Sequence, residues 1–129
     1  MIKTAETAAH RPAVAIVDVD PAVRSSLKFS LELEGFSVHA YYSGAELMTA
    51  DDLGSYACFV IDQELPDTDG IDLIESLRAR DVAAPAILIV SHPRDLLPAQ
   101  AIERGIPLVE KPLIGNTLLV AIRKACGIA

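Results

Sequence analysis

Three apolar runs, residues 14–17, 58–61 and 86–90, each stop at a polar residue, and between them the apolar period becomes that of amphipathic helices. Unbroken runs rich in β-branched residues read as strands covered on both faces, since a strand with one wet face alternates apolar and polar positions. Strands of this kind alternating with helices require a parallel sheet, because each helical crossover returns the chain to the same edge. All strand-terminating residues then emerge together. Asp18, Asp62, Ser91 and Lys111 are those residues, and in such sheets the carboxyl ends of strands are where ligands bind.

The chain taken in order gives five strand–helix units. Residues 1–12 are polar and alanine-rich without an apolar period, and are expected to form a flexible N-terminal tail ahead of one domain over 13–129. Asp20 is placed to cap a first helix that holds Pro21 in its opening turn, turns Val23, Leu27 and Leu31 to the core and ends at Gly35. Residues 36–42 form the second strand, with Tyr41 and Tyr42 as packing residues, and Ser43-Gly44-Ala45-Glu46 reads as a capping box before a short helix. Pro66 and Asp67-Thr68-Asp69-Gly70 break the chain after Asp62. A third helix over 69–80 then places Ile71, Ile74 and Leu77 on one face. Pro93 and Pro98 blur the start of the fourth helix. A strand over 108–110 delivers Lys111, and a last helix over 116–126 directs Leu118, Ala121, Ile122 and Ala125 to the core.

Composition narrows the function. A chain of 129 residues that is 51% hydrophobic builds one core without metal or disulfide staples. The net charge of −7 argues against direct nucleic-acid binding, which draws its affinity from basic side chains. No apolar run spans a bilayer and the first residues lack a signal-peptide core, so the expected location is the cytoplasm, with no membrane partner. Cys58 and Cys126 read as buried thiols whose pairing would disturb the strand–helix pattern.

Two carboxylates about 4 Å apart repel by roughly 4 kcal/mol at an effective dielectric of 20, so Asp18 and Asp62 call for a cation. An all-oxygen site with few carboxylates suits Mg²⁺, which keeps several waters and takes phosphate oxygens. Lys111 adds a fixed positive charge and Ser91 a hydroxyl donor, together matched to a tetrahedral phosphoryl group. The indicated chemistry is phosphoryl transfer onto a carboxylate.

From residue 14 to residue 126 the chain resembles the receiver domain of bacterial two-component response regulators. The features that carry the resemblance are Asp62 at the end of the third strand, Leu65-Pro66 and Gly70 after it, Ser91 ending the fourth strand, and Lys111-Pro112 after the fifth. It implies a single doubly wound, flavodoxin-like sheet in the order 2-1-3-4-5 with helices on both faces. Asp62 is then the phosphoacceptor, assisted by Ser91 and Lys111. The implied Mg²⁺ ligands are Asp18, Asp62 and the backbone carbonyl of Glu64, with Asp20 as an additional candidate. Relatives often have a cis bond at the Lys-Pro step. The implied partners are a sensor histidine kinase or histidine phosphotransfer protein and a downstream protein, and the implied assembly is a monomer or weak homodimer. Such a protein is not a turnover enzyme; at most it phosphorylates and dephosphorylates itself.

The chain departs from the pattern at Val19, where relatives carry a second acid that binds the metal, so a weakened Mg²⁺ site is expected. Asp20 is better placed for helix capping than for replacing that acid. Leu108 stands where relatives have a signalling aromatic, and Glu64 and His92 are candidate modulators of the site, His92 equally as a plain loop residue. These departures define an alternative, a degenerate receiver that binds proteins without being phosphorylated. A third reading comes from Asp18-Val19-Asp20, which imitates the nucleophile motif of haloacid-dehalogenase-like phosphohydrolases. That chemistry needs a metal-binding acid after the lysine, and residues 112–129 contain none.

Overall fold

The structure is a computed structural model that describes residues 11–91 and 97–128. Its strands are β1 Ala13–Val17, β2 Ser37–Tyr41, β3 Cys58–Asp62, β4 Ala86–Val90 and β5 Leu108–Glu110. The helices are α1 Pro21–Leu33, α2 Gly44–Met48, α3 Gly70–Ala79, α4 Leu97–Glu103 and α5 Thr117–Ala125, with a 3-10 turn at Leu53–Ser55. All strands run parallel in the order β2-β1-β3-β4-β5, as the resemblance implies.

Alternate residues of each strand feed two cores. Ala15, Val17, Phe59, Ile61, Leu88 and Val90 pack under α2, α3 and α4, against Leu47, Ile71, Ile74, Leu77 and Ala101. Val14, Ile16, Cys58, Val60, Ile87 and Ile89 pack under α1 and α5, against Leu31, Leu118 and Ile122. The central strands are therefore apolar throughout except for Asp62, which ends β3, because both faces are dry. Of the expected α1 core face, Leu31 is buried while Val23 and Leu27 are half-buried.

The caps follow local chemistry. Asp20 Oδ1 accepts from Ala22 N at 2.9 Å and Asp69 Oδ1 from Asp72 N at 2.8 Å, each satisfying a donor that a helix start leaves free. Gly35, at φ 98°, takes the left-handed conformation that ends α1. The capping box of α2 forms in one direction as expected, with Ser43 Oγ accepting from Glu46 N at 3.1 Å. Its return bond shifts by one residue, since Glu46 Oε1 accepts from Tyr42 N at 2.8 Å. Strand β2 stops at Tyr41, and Tyr42 is exposed rather than packed.

One cysteine departs from expectation. Both are free thiols: Cys58 is buried as expected, whereas Cys126 at the C-cap of α5 is only half-buried, against the same core layer. Among the described residues, no helix is long and apolar enough to cross a membrane.

Candidate functional site

Register places the site residues. Val17 pairs with Ile61, so Asp18 and Asp62 follow side by side at the ends of β1 and the central strand β3. Val90 pairs with Glu110, and Lys111 N donates to Val90 O at 2.8 Å, which brings Ser91 beside Lys111 at the same edge. All four strand-ending residues thus stand at one edge of the sheet, as the alternation of the sequence requires, with Asp18, Asp62 and Lys111 in contact. The Lys111–Pro112 bond is cis.

The centre is an ion triad. Lys111 Nζ lies 2.6 Å from Asp62 Oδ2 and 3.2 Å from Asp18 Oδ2. Asp18 and Asp62 are only 3% and 4% exposed, so each needs its charge met within the protein. Their other oxygens are held by the chain: Asp62 Oδ1 accepts from Glu64 N at 2.8 Å and Asp18 Oδ1 from Asp20 N at 2.9 Å. Burial raises the pKa of Asp18, the Asp20 N–H pulls against it, and neighbouring Asp62 adds to the rise. Burial works against the charge of Lys111, but the Asp62 hydrogen bond and the two carboxylates outweigh it and raise its pKa. Two carboxylates against one ammonium leave a local excess of one negative charge.

The other sequence candidates lie at the rim. Asp20 is exposed and its carboxylate caps α1. Val19 is 48% exposed, an apolar side chain at the edge of an acidic site. The Glu64 side chain is exposed, its main chain bridging to Asp69. His92 lies outside the described residues. Among the described residues, no cluster of three or more His, Cys, Asp or Glu side chains is arranged to hold a metal. Asp18 and Asp62 alone remain compatible with Mg²⁺, which needs only one or two carboxylates when water and phosphate complete its shell.

Sequence reasoning missed two supports. Arg24 Nη1 donates to the carbonyls of Asp18 and Val19 at 2.7 and 3.0 Å, clamping the loop after β1. Asp67 accepts from Gly44 N at 3.1 Å and Ala45 N at 2.8 Å, tying the loop after β3 to the start of α2. These bonds hold the Asp67 carboxyl below the usual carboxylate range, the Ala45 N–H contributing most. Neither support has a periodic signal, although Asp67 is one of the acids in the turn cluster that follows Asp62.

The sequence profile of the response regulator receiver domain matches residues 14–123. The chain belongs to the receiver domain family of response regulators. Among curated relatives, the transcriptional regulatory protein FixJ of Azorhizobium caulinodans is 31% identical over 115 residues, covering 88% of this chain and 54% of FixJ. The C4-dicarboxylate transport transcriptional regulatory protein DctD of Pseudomonas aeruginosa is 33% identical, covering 87% of this chain and 24% of DctD. This receiver chain therefore spans about half or less of the length of these two relatives. Among solved structures, FixJ-N superposes with a TM-score of 0.79 at 30% identity, covering 92% of this chain and 95% of FixJ-N. The non-phosphorylated HemR receiver domain of Leptospira biflexa reaches 0.83 at 20% identity, covering 92% and 97%, a likeness of fold. Receiver domains are phosphoacceptors rather than turnover enzymes, and they bind Mg²⁺ at an acidic pocket.

Proposed function

We propose that residues 13–129 act as a receiver that takes a phosphoryl group on Asp62 from a sensor histidine kinase or phosphotransfer protein and signals through protein contacts. The observation that carries this reading is the ion triad: a buried carboxylate at the end of a central strand, oriented by the Glu64 N–H and held by Lys111. An Asp62 oxygen attacks the phosphorus of a phosphohistidine. The P–N bond breaks, its electron pair stays with the imidazole nitrogen, and an acyl phosphate forms. As Asp62 loses its negative charge, the Lys111 ammonium shifts its partnership to the phosphoryl oxygens, and the Ser91 hydroxyl donates to another.

The incoming group carries about two negative charges into a site already in negative excess. Asp18, Asp62 and the Glu64 carbonyl would hold a Mg²⁺ ion, which when bound supplies the missing positive charge. Asp20 is committed to capping α1, so it does not replace the acid missing at Val19. A groove of about 720 Å³ between α1 and the β5–α5 loop, lined in part by Ala22, Ser26, Lys111 and Ile114, adjoins the triad and offers the phosphodonor protein its approach.

The test is incubation with acetyl phosphate and Mg²⁺, read by intact mass. A gain of about 80 Da, lost in Asp62→Ala, is the expected result. No gain in the wild type, restored by Val19→Asp, would instead identify a receiver that binds partners without being phosphorylated. Val19→Asp is also expected to tighten Mg²⁺ binding by roughly tenfold or more, measured by calorimetry, because ligand charge count sets affinity at such sites. Unchanged affinity would remove position 19 from the metal site.

A further inference from the structure

We propose that Cys58 and Cys126 form a reversible disulfide on exposure to peroxide, joining the end of α5 to the central strand at the sheet edge opposite the phosphorylation site. Both residues lie in the core layer that also holds Val14, Ile16, Leu118 and Ile122. Backbone geometry explains the meeting. Helix α5 runs back along the sheet, so its C-terminal end reaches the N-terminal ends of the strands, where Cys58 opens β3. Ile122 is fully buried against that layer, and Cys126 lies four residues later, one turn on along the same helix face.

The two thiols are chemically unequal. Cys58 is buried, its Sγ directed at the Phe59 carbonyl 3.7 Å away, and burial followed by the proximity of Cys126 pushes its pKa up to about 12. Cys126 is half-buried. Burial raises its pKa as well, but its partial exposure makes Cys126 the thiol of the pair that an oxidant in solution reaches first.

The step balances with hydrogen peroxide as oxidant. The Cys126 thiolate attacks one peroxide oxygen, the O–O bond breaks, and hydroxide leaves to give Cys126–SOH. Cys58 sulfur then attacks the Cys126 sulfur. The S–S bond forms, the S–O bond breaks, and the departing hydroxide takes the Cys58 proton as water. Together the two sulfurs lose two electrons and the peroxide gains them. Gly127, at φ 72° with open space around it, follows Cys126 directly and lets the helix end adjust.

The test uses the full chain treated with hydrogen peroxide, followed by intact mass and non-reducing peptide mapping. The expected product is a monomer about 2 Da lighter, with the Cys58 and Cys126 peptides linked and the link reversed by dithiothreitol. In Cys58→Ala, Cys126 is expected to gain about 16 Da and react with dimedone, while in Cys126→Ser the buried Cys58 stays reduced. Wild-type protein that instead accumulates higher oxides on Cys126, forms only disulfide-linked dimers, or remains unmodified where Cys126 of Cys58→Ala oxidises would overturn the proposal.

Discussion

Alanine at position 70 is expected to destabilise the domain by about 2–3 kcal/mol, the range of forcing an extra methyl into a packed core. Gly70 opens α3 directly behind Asp62, and its N–H donates to Gln63 O at 2.9 Å. A Cβ there would lie 2.5 Å from Leu88 Cδ1, 2.8 Å from the Asp62 carbonyl oxygen and 3.1 Å from Gln63 Cα. Leu88 is fully buried in the sheet and the other two contacts are backbone, so no flexible side-chain end can absorb the strain. The helix propensity gained over glycine, at most about 1 kcal/mol, does not offset it. Relief must come from moving the main chain of Asp62. Urea denaturation will therefore report the loss, and acetyl phosphate labelling of Asp62 is expected to slow by about tenfold or more, since small misplacements of a reacting group are costly. Gly44→Ala is the matched control. Its Cβ also meets a neighbour at 2.8 Å, but that neighbour is Thr68 Cγ2, the end of a side chain that can turn aside. Equal losses in the two variants would contradict the argument.

The contrast between these glycines illustrates what the sequence can and cannot show. Gly70 was legible as the turn residue after Asp62, and the convergence of Asp18, Asp62, Ser91 and Lys111 followed from apolar runs ending at polar residues. Both depend on short-range pattern and on the parallel sheet that such a pattern demands. The role of Asp20 was legible for the same reason, because a cap acts on its own helix. The backbone clamps of Arg24 and Asp67 were not. Each depends on where a loop carbonyl or a helix start lies after folding, and side-chain bonds across loops leave no periodic trace. The apposition of Cys58 and Cys126 required the register of a helix over a sheet, which spacing along the chain does not encode. The exposure of Tyr42 was not legible either: β2 stops one residue short of it, and its N–H turns to the Glu46 carboxylate at the start of α2.

Removing the charge of Lys111 is the second large effect. In Lys111→Met, the Asp18 and Asp62 carboxylates would face each other with no cation between them, each side chain at most 5% exposed. Breaking a fully buried pair costs about 3–5 kcal/mol. Lys111 is itself 24% exposed and the site lies at the sheet edge, so solvent screening reduces the expected loss to about 2 kcal/mol near pH 7. The deficit has a defined pH dependence. Asp18 already has a raised pKa with Lys111 present, through burial first, and loss of the ammonium raises it further. A raised acid binds protons in the folded state that the unfolded state has released, so stability falls as pH rises through the folded pKa. The variant is therefore expected to recover toward wild type as pH falls below neutrality and a carboxylate protonates. The gap also narrows in strong alkali, because the raised pKa of Lys111 means its contribution is lost as pH rises through that value. Mg²⁺ gives an independent check. A cation bound between the carboxylates replaces the missing ammonium, so millimolar Mg²⁺ is expected to raise the melting temperature of Lys111→Met more than that of wild type, and Asp18→Asn in the same background to abolish the difference. A deficit indifferent to both pH and Mg²⁺ would mean that Lys111 supports the fold by packing alone, and that the two carboxylates do not depend on it for their charge.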